Sequence, residues 1–183
     1  MSKRLAKLFL KAGRWKFNDF PNVEKAVVLM APHTSMWDFF YGKMYFATFG
    51  YKSVVLIKKE AFVWPFGHFL KKMGGVPVDR GKRTGLTDKA VESFENASGR
   101  FYLVITPEGT RKKTKNWKKG FIRIAKAAKV PVVLGFLDCS TRSMGNLGLL
   151  DMTGAEEEIL ERLKLKYTGF TGIYKDKFET GYE

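Results

Sequence analysis

The sequence predicts an α/β domain whose mixed, mostly parallel sheet is flanked by helices, and three observations carry that expectation. Short apolar runs rich in β-branched residues recur at 26–31, 53–57, 101–105 and 130–137, with the length and bounding glycines and prolines of buried strands. The intervals between them hold apolar residues at helical spacing. Two of the runs stop at a proline and deliver polar residues, Pro32-His33 and Pro107-Glu108, as α/β folds do where they place a site at strand ends. The chain has 183 residues, 45% of them hydrophobic, which suits a single domain with a substantial core.

The elements follow in order. Residues 2–17 set Leu5, Leu8, Phe9 and Ala12 at helical spacing, with Lys3, Arg4, Lys7, Lys11, Arg14 and Lys16 around much of the remaining circumference. This basic amphipathic pattern fits an interfacial helix on a lipid surface and fits equally a helix docked on its own domain. We therefore divide the chain into an amphipathic, membrane-surface helix at 1–17 and a domain at 18–183. After the strand at 26–31, Trp37 to Phe49 reads as a helix with Ser35 or Asp38 as capping candidate, so His33 and Asp38 flank one tight turn. An aspartate accepting from Nδ1 would fix the imidazole tautomer and leave Nε2 free to take a proton; a plain helix cap is the alternative.

Residues 53–57 form the next strand. The apolar, aromatic stretch 61–73 carries Pro65 and Gly67 and predicts a broken helix, with His68 packed or partly exposed inside it. A short strand at 76–78 ends beside Arg80, placed to fork onto a phosphate or carboxylate or else to pair with Asp79 or Glu60. Residues 86–97 predict a helix and 101–105 the clearest buried strand, which runs into Thr106-Pro107-Glu108-Gly109-Thr110-Arg111. Five lysines between 112 and 119 surround Trp117 in a loop that reads as a basic, aromatic-anchored patch or as a solvated segment. A helix at 120–129, a strand at 130–137, a strand at 146–152 and a helix at 155–165 with Thr153 as N-cap complete the assignable chain; 167–183 gives no firm pattern.

A net charge of +15 predicts an anionic partner: nucleic acid, anionic lipid, an acidic carrier protein or a phosphorylated substrate. One cysteine, Cys139, excludes a disulfide framework and a thiolate metal site, and points to reducing cytoplasm. No run approaches the roughly eighteen apolar residues of a spanning helix, and charges interrupt the N-terminal apolar positions, so neither a membrane span nor a signal peptide is expected.

Four blocks together resemble the glycerolipid acyltransferase family, whose best-known members are the 1-acylglycerol-3-phosphate acyltransferases. His33 and Asp38 match its histidine, four residues, aspartate block; Gly75 to Arg80 matches its glycine-to-arginine block; Pro107 to Arg111 matches Pro-Glu-Gly-Thr-Arg whole; and Val130-Pro131-Val132 matches its Val-Pro-Val strand. The resemblance covers roughly residues 24 to 137, in the family's order. Pro32, Thr106 and Pro77 stand where the family commonly has asparagine, phenylalanine and a large apolar residue, which leaves acceptor and chain-length preference open.

The resemblance implies transfer of a fatty acyl group from acyl-CoA or acyl carrier protein to a hydroxyl of a lysophospholipid-like acceptor such as 1-acylglycerol-3-phosphate. His33 would be the general base and Asp38 its orienting partner. Arg80 and Arg111 would hold the acceptor's anionic group, Glu108 would orient an acceptor hydroxyl or an arginine, Gly109 would allow close backbone approach and Thr110 would add a hydrogen bond. The aromatic segments 39–41 and 62–69 are candidates for the acyl pocket or for ordinary core. No metal or redox cofactor is expected, and the implied location is the cytoplasmic face of the cell membrane, with an anionic lipid surface as partner. Two alternatives stand beside this: an acyltransferase for another lysolipid, for example an amino-acid-derived one, and a non-catalytic basic module for nucleic acid or anionic membrane. No helix-turn-helix, zinc-finger or paired-aromatic RNA-binding pattern is present, so no nucleic-acid partner is expected.

Overall fold

The computed structural model describes residues 2–78 and 85–182. Seven strands, β1 (Lys16–Phe17), β2 (Lys25–Ala31), β3 (Ser53–Lys58), β4 (Gly75–Val78), β5 (Phe101–Ile105), β6 (Val132–Asp138) and β7 (Ser143–Leu149), make one sheet in the order β1-β7-β6-β2-β5-β3-β4. Every neighbouring pair is parallel except β6 and β7, which a short turn joins antiparallel. The sheet is therefore mixed and mostly parallel, as the strand and helix alternation predicts.

Helices α1 (Lys3–Ala12) and α2 (Trp37–Phe49) cover one face, and α4 (Leu86–Glu95), α5 (Gly120–Ala128) and α6 (Glu156–Lys166) cover the other; the short α3 (Phe66–Lys72) precedes β4. Alternation along the strands feeds both cores, since side chains point to opposite faces with period two. Val28, Tyr102, Val104 and Val133 pack against Leu10, Tyr45 and Phe46 on the first face, while Val27, Leu29, Leu103 and Leu134 meet Phe94, Phe121, Ile124, Ile159 and Leu163 on the second. Burial on both faces is why β2, β5 and β6 read as continuous apolar runs.

Parallel register positions the site. Leu29 pairs with Ile105 and Ala31 with Phe136, so the segments leaving β2 and β5 emerge side by side at the same edge of the sheet.

Several elements differ from expectation. Helix α1 docks through Ala6 and Leu10, and the predicted stripe faces outward, with Leu5, Leu8 and Phe9 55%, 65% and 54% exposed. The last strand begins earlier, at Ser143, because β7 pairs with β6 across a tight turn. Thr153 does not cap α6: its amide and hydroxyl both donate to Asp151 at 3.0 and 2.8 Å, while the Ala155 amide donates to Glu158 at 3.1 Å. Residues 167–182, unassigned from sequence, wrap back over the sheet, with Tyr167 fully buried and donating to the Gly135 carbonyl at 2.8 Å.

Candidate active site

The turn after β2 is built around one carboxylate. Asp38, in the first turn of α2, accepts through Oδ2 from the Thr34 and Ser35 amides at 2.7 Å each, and the same oxygen lies 3.2 Å from His33 Nδ1. The helix itself starts from Met36 without a side-chain cap, so Asp38 braces the turn before α2 and meets the imidazole rather than capping the helix. Ser35 contributes as well, its hydroxyl accepting from the Trp37 amide at 3.2 Å. An anion at this helix start is favoured by the unpaired amides around it. With Nδ1 engaged, Nε2 is the nitrogen left to solvent, and the His33 side chain is 20% exposed.

The turn after β5 reaches the same place. Glu108 is 1% exposed and its Oε1 accepts from the His33 backbone amide at 2.6 Å, tying together two turns that are 75 positions apart. Its Oε2 is buried with no hydrogen-bond partner among the described residues. Burial pushes the Glu108 carboxyl up to about 8, opposed by the His33 amide and reinforced by the Asp38 charge, so it carries its proton at neutral pH. Through this contact Glu108 holds the backbone of His33.

Gly109 has φ +67°, in the left-handed region, which favours glycine at this turn. The Thr110 hydroxyl accepts from the Lys112 amide at 3.1 Å and so shapes the turn. Arg111 is exposed and lines the same cavity as His33, Asp38, Gly109 and Thr110. Arg80 lies outside the described residues.

The loop at 112–119 differs from a free basic patch. Trp117 is 4% exposed and packs beside Tyr167 and Phe178, its indole donating to the Glu179 carbonyl. Lys113 and Lys115 face Glu179, and Lys119 pairs with Glu157.

A cavity of about 300 Å³ runs from the His33 turn along α2 and over β3. Phe39, Gly42, Lys43 and Phe46 line it from α2, with Met30, Val55, Ile57 and Val104 from the sheet. Of the aromatic segments proposed for an acyl pocket, 39–41 and 62–69, only Phe39 contributes a ring, and Phe46 adds one from outside them; Trp64 is 91% exposed and, with Val63, Phe66 and Phe69, forms a surface patch. Among the described residues, no three histidine, cysteine, aspartate or glutamate side chains converge to hold a metal ion. Burial, with the Asp38 and Asp138 charges adding, pushes the Cys139 thiol up to about 11, which leaves it unsuited as a nucleophile at neutral pH.

Two features escaped sequence reasoning. The tail straps the site: Tyr174 donates to Thr34 Oγ1 at 3.1 Å, Thr171 donates to Asp138 at 3.1 Å, and Gly172 sits where a Cβ would meet the Thr34 side chain at 2.5 Å. Lys43 is the other; the only cation in α2, amid apolar and aromatic residues, was its signal.

Residues 14–133 match the sequence model of the Acyltransferase family. The chain belongs to that family. Among curated relatives of this acyltransferase, a 1-acyl-sn-glycerol-3-phosphate acyltransferase of Streptococcus pneumoniae (strain ATCC BAA-255 / R6) is 33% identical over 114 residues, covering 62% of this chain and 42% of the relative. The 1-acyl-sn-glycerol-3-phosphate acyltransferase epsilon of Mus musculus is 31% identical over 102 residues, covering 52% of this chain and 27% of its own. The match therefore spans less than half the length of either relative. Among solved structures, the 1-acyl-sn-glycerophosphate (LPA) acyltransferase PlsC from Thermotoga maritima superposes with a TM-score of 0.60 over 90% of this chain and 76% of its own, at 17% identity; that likeness establishes the shared fold.

Proposed function

We propose that this acyltransferase moves a fatty acyl group from a thioester, on coenzyme A or acyl carrier protein, to the free hydroxyl of a 1-acylglycerol-3-phosphate-like acceptor. One observation carries the reading: an imidazole met at Nδ1 by a buried carboxylate, both lining one mostly apolar cavity. His33 Nε2 takes the proton from the acceptor hydroxyl as its oxygen attacks the thioester carbonyl, and Asp38 stabilises the imidazolium. The tetrahedral adduct collapses by breaking the C–S bond. The imidazolium then returns its proton to the departing thiolate, leaving ester and free thiol.

Glu108 acts beneath this as a positioning residue, fixing the His33 backbone. Arg111, with Arg80, supplies planar forks for the acceptor phosphate. The outward Leu5, Leu8 and Phe9 of α1, flanked by lysines, and the aromatic patch around Trp64 are the surfaces we assign to an anionic membrane, in keeping with a location on the cytoplasmic face of the cell membrane. Among the described residues no helix is long and apolar enough to cross a membrane.

The test is release of free thiol from an acyl thioester with a panel of acceptors. The reading expects release that depends on a lysophosphatidic acid and is weak with neutral or amino-acid-derived lysolipids. Release independent of acceptor would mark a thioesterase, and nucleic-acid affinity without release would return the basic-module alternative.

A further inference from the structure

We propose that the C-terminal strap is a part of the catalytic turn, in which residues 171–174 hold Thr34 and, through its amide, the Asp38 carboxylate against the His33 ring. Thr34 and Gly172 are thereby positioning residues for the proton transfer, and Asp138 anchors them. The inference rests on the general-base reading of His33 and concerns what keeps that base in place.

Thr34 joins the two parts. It is buried, and its amide donates at 2.7 Å to Asp38 Oδ2, the oxygen 3.2 Å from His33 Nδ1. Its hydroxyl oxygen accepts from the Tyr174 amide at 3.1 Å, across 140 positions of sequence. Gly172 packs on the same side chain, where a Cβ would meet Thr34 Cγ2 at 2.5 Å and Oγ1 at 2.6 Å. The Gly172 φ lies outside the left-handed region, so this contact and not the backbone calls for glycine. Glu108 grips the preceding amide, that of His33, at 2.6 Å; the turn is held at two successive residues by two distant segments.

The strap is tied down independently of the turn it holds. Asp138, the last residue of β6 and buried, accepts from the Thr171 amide at 3.1 Å, and the Cys139 amide donates to the Thr171 carbonyl at 2.8 Å. Ser140 and Thr141 donate to the same carboxylate, bracing it on the turn between β6 and β7. Phe170 packs on Phe136 and Tyr167 before the strap, and Phe178 packs on Trp117 after it. Ala31 pairs with Phe136, so the end of β6 lies beside the end of β2, and a segment fixed to one reaches the turn leaving the other.

Such a brace bears on rate because the imidazole needs its carboxylate within hydrogen-bond reach. A methyl at 172 needs about 1 Å more room than the Thr34 side chain leaves for ordinary contact. Misplacement on that scale changes a rate by about a hundredfold, and sharing it between strap and turn leaves about tenfold or more.

The experiment follows acceptor-dependent thiol release, melting curves and nitrogen-15 spectra of histidine-labelled protein for wild type, Gly172→Ala, Thr34→Val, Thr34→Ala, Thr34→Ser and the Gly172→Ala, Thr34→Ala pair. Only His33 and His68 carry the label, and His68→Gln assigns the two signals. Gly172→Ala lowers kcat at least about tenfold while both KM values stay within about twofold. Thr34→Val, which keeps the shape but not the acceptor, does the same, whereas Thr34→Ser keeps the acceptor and stays within about threefold of wild type. The pair loses less than the product of its two single losses, since removing Oγ1 and Cγ2 makes room for the new methyl. In wild type the neutral His33 ring carries its proton on Nδ1, and in Gly172→Ala and Thr34→Val that preference weakens. A smaller loss of kcat in a folded Gly172→Ala protein, a loss matched by a rise in KM, or an unchanged His33 tautomer overturns the proposal. Should Gly172→Ala fail to fold, Thr34→Val, which needs no extra room, decides by the same criteria. If wild type consumes no thioester, the acyltransfer reading fails and the tautomer decides alone: a weakened Nδ1 preference in these variants supports the strap, and an unchanged ring overturns it.

Discussion

Replacing Glu108 by glutamine separates the two things its carboxyl group does. The carboxamide oxygen still accepts from the His33 amide, which the native group meets at 2.6 Å, but the side chain no longer titrates. The native carboxyl is pushed up to about 8 from the ordinary glutamate value of 4.5, chiefly by burial. Because the folded protein keeps a proton that the unfolded chain has released, this group's contribution to stability is complete below about pH 4.5 and is lost as pH rises toward 8. At about 1.4 kcal/mol per pH unit that interval corresponds to a ceiling of about 5 kcal/mol, and relaxation around the charged form brings the expected loss to about 2–4 kcal/mol.

Near pH 4.5 wild type and Glu108→Gln should therefore melt together, since each buries one unpartnered polar atom. At pH 8 the variant should be the more stable, by about 5–15 °C in Tm for a chain of this size. The assay is thermal denaturation of both proteins across that range, read as the difference between the two curves so that all other titrating groups cancel. A flat difference, or a variant less stable than wild type at pH 8, would refute burial of Glu108 as the source of its raised affinity for protons.

Other substitutions test the remaining parts. Asp38→Asn keeps an oxygen for the Thr34 and Ser35 amides but removes the charge that selects the His33 tautomer; kcat should fall by about three to four orders of magnitude with little change in KM, and a loss below tenfold would reduce Asp38 to a brace for the turn before α2. Arg111→Ala should raise the acceptor KM at least about tenfold while the donor KM moves little; equal rises for both would make the arginine structural. Changing Leu5, Leu8 and Phe9 together to serine should leave Tm within about 2 °C, because those side chains are already exposed, yet should abolish sedimentation with anionic vesicles. Undiminished sedimentation would move the membrane contact to the Trp64 patch.

What the sequence made legible was what local pattern encodes. Buried strands announced themselves because both faces of β2 and β5 meet core, and the turns after them were marked by proline and by residues that carry chemistry. The limits are equally physical. In α1 the apolar stripe was visible, but which face meets the domain depends on Ala6 and Leu10 fitting against α2, which spacing alone does not decide. Trp117 looked like an anchor among lysines and proved to be core, because its partner Glu179 arrives from 62 positions away. Glu108 stood out as a candidate site residue, whereas its attachment to the His33 amide depends on β2 and β5 lying side by side. The strap at 170–174 had no signal, since its contacts with Thr34 and Asp138 are made largely by backbone groups.

The central claim is that His33 takes the acceptor proton. The direct test is acceptor-dependent thiol release by His33→Ala, measured beside its melting curve. We expect release to fall to the uncatalysed rate while Tm stays within a few degrees of wild type; thiol release near the wild-type rate from that folded variant would contradict the mechanism.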